Sequence, residues 1–110
     1  KKMEVPLPIF FQTSDAEKIK TSASFDYKSL KFPLYLRSKK MGDRFFPAGM
    51  GGKSKKVSKY LKDEKFSKLE KEKTLILVDA NDEILWIVGH RQDERFLPHK
   101  NTKVWLHVDL

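Results

Sequence analysis

The sequence predicts an α+β domain that is mainly β, an antiparallel, sandwich-like arrangement of sheets carrying one or two short helices. Three observations predict it. Thr74–Asp79 and Glu83–Gly89 are apolar runs joined by the tight polar turn Ala80-Asn81-Asp82, the pattern of an antiparallel hairpin. Val104–Val108 supplies a closing apolar strand. Only two stretches, from Ser54 to Lys62 and from Ser67 to Lys73, read as helical, and both are short. With 110 residues the chain can build one core and is too short for two.

Taken in order, Val5-Pro6-Leu7-Pro8-Ile9-Phe10-Phe11 is apolar and β-prone, but its prolines cannot donate ladder hydrogen bonds, so it reads as an edge strand or extended arm. Thr13 to Ser24 is polar and reads as a loop. Residues 1–24 are therefore expected to be an arm and linker, and residues 25–110 the domain itself. Phe25-Asp26-Tyr27 suggests a short strand or turn, and Pro33–Arg37 a firmer strand alternating across its faces. Gly42 to Gly52 holds four of the five glycines together with Pro47, which disfavours regular structure. Ser54 is available as the N-cap of the first helix, whose apolar face is Val57, Tyr60 and Leu61 and whose opposite face is Lys55, Lys59 and Lys62. Ser67 is available as the cap of the second.

At 39% hydrophobic and 12% aromatic the chain can bury a core, so its 35% charged residues describe a wet surface rather than disorder. No apolar run approaches the roughly 20 residues needed to span a bilayer, which points to a soluble, cytoplasmic protein. The first residue is Lys, which suggests a piece of a longer chain. There is no cysteine, hence no disulfide and no thiolate metal site. His90, His99 and His107 lack metal-ligand spacing. The net charge is +8, and residues 37–73 carry thirteen Lys/Arg against five Asp/Glu, so the flanking thirds sum to zero. A charge excess confined to the glycine-rich segment suits a polyanionic partner.

In that segment, Gly42, Asp43, Pro47, Gly49, Gly51 and Gly52 shape a loop that feeds a lysine-striped helix. Two readings stand side by side. Glycines let backbone amides converge on an anion, with lysines at phosphate spacing. Equally, a tight chain reversal beside an ordinary solvated helix face needs the same residues. Gly52-Lys53-Ser54 imitates the end of a nucleotide-binding P-loop, but the position of that motif's first glycine is Pro47, which has no N–H to offer a phosphate.

Two separate runs, Leu36-Arg37-Ser38 through Gly42-Asp43-Arg44-Phe45-Phe46-Pro47-Ala48-Gly49-Met50-Gly51-Gly52-Lys53 to the lysine helix, and Ile84-Leu85-Trp86-Ile87-Val88-Gly89-His90-Arg91-Gln92-Asp93-Glu94-Arg95-Phe96, resemble the C-terminal domain of tRNA(Ile)-lysidine synthetases from about Phe25 to the end. The resemblance implies a fold like a β-rich domain of the phenylalanyl-tRNA synthetase β-subunit, and a role in gripping tRNA near its acceptor stem. It implies a full enzyme that uses ATP, with Mg, to join lysine to the wobble cytidine of the CAU anticodon of isoleucine tRNA. That chemistry belongs to an N-terminal catalytic domain with a Ser-Gly-Gly-x-Asp-Ser loop, which is absent here, so no catalytic residue, cofactor or metal is expected in this chain. The positions it implies for RNA contact are Arg37, Arg44, Lys53, Lys55, Lys56, Arg91 and Arg95, with Lys59 and Lys62 extending the helix stripe. Lys71 departs from the arginine of many relatives and keeps charge without bidentate geometry.

Trp86 and Trp105 lie in apolar strand runs and are expected to pack in the core rather than stack on bases. Of Phe45 and Phe46, one is expected to be buried and the other to lie beside the basic loop. Asp43 is expected to serve turn hydrogen bonding or to hold Arg44. The expected partners are isoleucine tRNA with a CAU anticodon and the enzyme's own catalytic domain, with no membrane and no DNA. The competing reading is a structural module, with a merely solvated basic face, that docks on its own enzyme or forms a homodimer through an open strand edge at Val5–Phe11.

Overall fold

The computed structural model describes residues 3–4, 11–13 and 23–108. Its order of elements is β1 (Met3–Glu4), β2 (Phe11–Thr13), β3 (Ala23–Asp26), β4 (Tyr35–Ser38), β5 (Arg44–Phe45), β6 (Lys55–Lys56), α1 (Val57–Asp63), α2 (Lys68–Lys73), β7 (Leu75–Val78), β8 (Ile84–Ile87) and β9 (Val104–Val108), with single 3-10 turns at Tyr27–Ser29 and Glu94–Phe96. All strand pairing is antiparallel. Three sheets result, ordered β1-β4-β7-β8, β2-β9-β3 and β5-β6. The predicted arm Val5–Phe11 and the predicted loop after Thr13 lie largely outside the described residues. Of the predicted arm, Phe11 belongs to β2, which pairs with β9, while β1, ahead of the arm, pairs with β4. Of the loop expected from Thr13 to Ser24, Thr13 ends β2 and Ala23 and Ser24 open β3 on the other edge of β9, so these are strand residues.

The four-stranded sheet is covered on both sides, and the period-2 alternation of β7 shows how. Leu77 points into a cluster with Phe25, Leu34, Trp86 and Leu106, while Ile76 and Val78 point into another with Phe45, Val57, Tyr60 and Leu61. The first cluster is the interface with the three-stranded sheet. The second is the floor beneath α1 and β5. Val57, Tyr60 and Leu61 are all buried, the helix face expected from their spacing. Burying each removes apolar surface worth roughly 1.5–3 kcal/mol.

The hairpin lies where the sequence puts it, with one refinement. Leu77 pairs with Trp86 and Val78 with Ile84, which leaves Leu85 as an extra residue. This bulge turns Leu85 and Trp86 toward the same core, so the unbroken apolar run of β8 satisfies both sides of the sheet. The turn is held by Asp79, whose buried carboxylate accepts from the amides of Asn81 and Glu83, and Asp82 takes the left-handed position at φ 64°. Trp86 is fully buried, edge-on to Phe25, whereas Trp105 is only half-buried, against His107.

Helix α2 begins as expected. Ser67 Oγ accepts from the Glu70 amide (3.1 Å) and Glu70 Oε1 accepts from the Ser67 amide (2.7 Å), a reciprocal cap. The start of α1 corrects the sequence expectation. Ser54 does not cap it; the helix begins at Val57, and the Val57 amide donates to the Asp43 carbonyl at 2.9 Å. Lys55 and Lys56 are strand residues paired with β5, so Lys55 does not belong to the helical stripe. The helix closes in a Schellman turn. The Phe66 amide donates to Leu61 O and the Lys65 amide to Lys62 O, with Lys65 at φ 62°, where glycine is usual. No helix among the described residues is long and apolar enough to cross a membrane.

Candidate nucleic-acid interface

The two motif segments, far apart in sequence, are stitched together by backbone. The Phe46 amide donates to Asp93 Oδ2 (2.8 Å), the Glu94 amide to Phe46 O (2.7 Å) and the Ala48 amide to Gln92 O (2.9 Å). Asp93 is fully buried and also receives Arg95. Phe45 is buried edge-on to Tyr60, while Phe46 is half-buried beneath the Arg95 guanidinium at 4.4 Å, the division expected of this pair.

Arg37 lies beneath the surface rather than facing solvent. It is 5% exposed and forms a bidentate pair with Asp43 (both contacts 3.0 Å), with a further contact to Asp82 Oδ1 at 3.0 Å. Burial pulls its pKa down, but the two carboxylates outweigh burial and the net direction is up. Burial likewise raises Asp82 and is outweighed by Arg37 and Lys40, leaving that carboxyl below its ordinary range. Asp43 therefore anchors Arg37 and accepts the Lys40 amide (2.7 Å), the turn hydrogen bonding that is one of its two expected roles; the other, holding Arg44, is not what its carboxylate does. Arg44 rests instead on Ser54 Oγ, 3.0 Å from Nη2.

The remaining predicted cations sort by partner. Arg95 is taken by Asp93 and Glu83, which override the lowering effect of burial and raise its pKa. Lys55 (2.7 Å) and Lys59 (3.5 Å) share Asp63, whose carboxyl is held low first by the Lys55 hydrogen bond. Arg91 donates to Ala48 O (3.1 Å) and lies 5.7 Å from the Tyr60 ring centre. Arg44, Lys53, Lys56, Lys62 and Arg91 make no ion pair among the described residues, and the first four are exposed. Arg44 and Lys56 are direct cross-strand partners. Like charges so placed repel, which a bound anion would relieve.

Gly51 and Gly52 follow one another at φ 65° and 83°, a conformation that favours glycine, and their amides meet no acceptor among the described residues. A Cβ at Gly51 would meet only open space, so backbone conformation and not packing requires glycine there.

Sequence reasoning missed Lys39, Lys40 and Met41. They border a cleft of about 390 Å³ with Gly42, Asp43, Lys56 and Ser58. The adjacent lysines beside Gly42 were the available signal. Among the described residues no group of His, Asp and Glu could hold a metal ion. Ser24 Oγ, half-buried, lies 2.7 Å from Nδ1 of the buried His107, a hydrogen bond between β3 and β9.

The family model described as "TilS substrate C-terminal domain" matches residues 34–110. A tRNA(Ile)-lysidine synthase of Parabacteroides distasonis is 51% identical over 87 residues, covering 79% of this chain and 19% of the relative. One from Caldanaerobacter subterraneus is 37% identical over 98 residues, covering 89% and 21%. The chain thus spans about a fifth of the length of the relatives it matches. A solved structure titled "Crystal structure of TILS C-terminal domain" superposes with a TM-score of 0.69 at 25% identity, covering 88% of this chain and 77% of that one.

Proposed function

The chain belongs to the family of C-terminal domains of tRNA(Ile)-lysidine synthases, and from that premise we propose that its basic face holds tRNA near the acceptor stem for a catalytic domain carried elsewhere in the enzyme. The full enzyme, in this reading, is a cytoplasmic ligase that uses ATP, with Mg, to join lysine to the wobble cytidine of the CAU anticodon of isoleucine tRNA. ATP, Mg and lysine sit in the catalytic domain; the chain described here offers no metal-holding cluster among its described residues.

The observation that carries the reading is the opposed pair Arg44 and Lys56, which have no carboxylate partner among the described residues while nearby cations do. A phosphate backbone supplies the missing counter-charge, and its many weak contacts need no single strong site. Lys53 and Lys62 add to the same grip, and Arg91 supports the loop from below through Ala48. Lys55 and Lys59 engage phosphate once they leave Asp63. Arg37 and Arg95 act as positioning residues that fix the loop. The amides of Gly51 and Gly52, without an acceptor among the described residues, offer additional donors.

Titrating the chain with isoleucine tRNA over a range of salt tests this. Log affinity is expected to fall with log salt by about 0.7–0.9 per phosphate neutralised. A folded domain whose affinity ignores salt, or that binds no tRNA, overturns the proposal.

A second reading, docking against the rest of the enzyme or a second copy, is favoured by exposed Leu75 and Leu69, the former bordering a cavity of about 440 Å³ with Phe66, Val88 and His90. Light scattering after size exclusion, with Leu75→Asp as control, decides whether the chain self-associates through that face.

A further inference from the structure

The cleft beside Met41 carries a more specific reading, which rests on the tRNA-binding proposal. Its volume of about 390 Å³ is at the lower end of small-ligand sites, near the size of one nucleotide. Lys39, Lys40 and Lys56 line it together with the Ser58 hydroxyl and Asp43, whose carboxylate is neutralised by its bidentate pair with Arg37. Lys39 and Lys56 make no ion pair among the described residues, and Lys40 is shared only with Asp82 (3.2 Å).

Met41 is the unexpected member. It is fully exposed, at 101% of its reference area, although it is large and apolar. Its turn is well anchored. The Asp43 amide closes on Lys40 O at 3.1 Å, the Asp43 carboxylate accepts the Lys40 amide, and Arg37 clamps that carboxylate from beneath. The side chain is thus presented to solvent from a braced backbone, with cations on both sides.

A continuous duplex gives such a residue little to touch, because it shows the protein phosphates and sugars while its base faces are stacked inside. An unpaired nucleotide shows both a phosphate and an apolar base face. Polarisable methionine packs well on flat aromatic surfaces, and contacts to base faces tolerate any base identity. We infer that this cleft takes one unpaired nucleotide of the RNA, its phosphate among Lys39, Lys40 and Lys56 and its base against Met41.

The test uses the chain as it stands and three RNAs sharing one stem: blunt with a tight loop, the same stem with a short 3′ overhang, and the same blunt stem with a wide single-stranded loop. Binding is followed by fluorescence anisotropy. The overhang or the wide loop is expected to bind about five- to tenfold tighter than the blunt stem, and whichever does so identifies the source of the nucleotide. Met41→Ala should remove that preference without weakening the blunt stem, Met41→Leu should retain it, and Lys56→Gln should weaken all three RNAs. Thermal melting of each variant confirms the fold. Equal binding of the three RNAs, or equal weakening of all three by Met41→Ala, overturns the inference while leaving tRNA binding intact. Failure of every RNA to bind overturns both readings.

Discussion

Arg44 and Lys56 stand opposite each other across the β5–β6 pair, while Phe45 and Lys55 form the next rung on the other face, over the core. The short pair thus separates two functions by alternation: one face anchors, the other repels itself. Replacing Lys56 with Gln should leave stability unchanged or raise it slightly at low salt, since directly opposed like charges cost up to about 1 kcal/mol. The same change should weaken tRNA binding and lower the salt slope by about 0.7–0.9. Melting curves and a salt titration check the two halves.

Asp63 engages both Lys55 and Lys59, which in the proposed function competes with phosphate for them. Asp63→Asn should release both, so tRNA binds more tightly and with a steeper salt dependence, while the melting temperature changes little. Unchanged affinity would remove this end of α1 from the interface.

Breaking the buried pair at Arg37 should be costly. Arg37→Ala leaves Asp43 without its guanidinium partner in a nearly closed site and should destabilise the fold by about 3–5 kcal/mol, read by denaturant unfolding. An undiminished stability would mean that the two carboxylates are already well hydrated.

Stability should also depend on pH through Asp82. Its folded carboxyl lies below the unfolded value of about 3.9, so its contribution is present above that value and is lost as pH falls through the lower folded one. Asp82→Asn should flatten the acid side of the stability profile below about pH 4 and lower stability at neutral pH. A parallel acid limb in wild type and variant counts against this.

Lys65 occupies the left-handed position that closes α1. Lys65→Gly should stabilise the domain by roughly 0.5–1 kcal/mol, because a side chain there pays a steric penalty that glycine avoids. Chemical denaturation measures it.

Much of the scaffold was legible because its signals are local. The β7–β8 hairpin, the reciprocal cap at Ser67 and the buried face of α1 follow from alternation, turn chemistry and helical spacing. What failed depended on tertiary pairing. Ser54 has every local feature of a cap, yet Arg44 occupies its hydroxyl and β5 draws Lys55 and Lys56 into a strand. Arg37 shows the same limit. Its alternation with Leu36 is legible in the strand pattern, but nothing local reveals that both faces of the central sheet are covered or that Asp82 comes within 3.0 Å from a distant turn. The basic cluster was visible as composition; which cations stay unneutralised was not, because Asp63, Asp82 and Glu83 act through space.

The stitching of Phe46 and Ala48 onto Gln92, Asp93 and Glu94 means that the gripping loop borrows its shape from the far end of the chain. A peptide of residues 37–62 would own Arg44, Lys53, Lys56 and Lys62, four exposed cations without an ion pair among the described residues, and none of their spacing. If the proposed tRNA grip holds, recognition is a late product of folding: a nascent domain halted before Gln92 would attract RNA as any polycation does, without the discrimination that a fixed template provides.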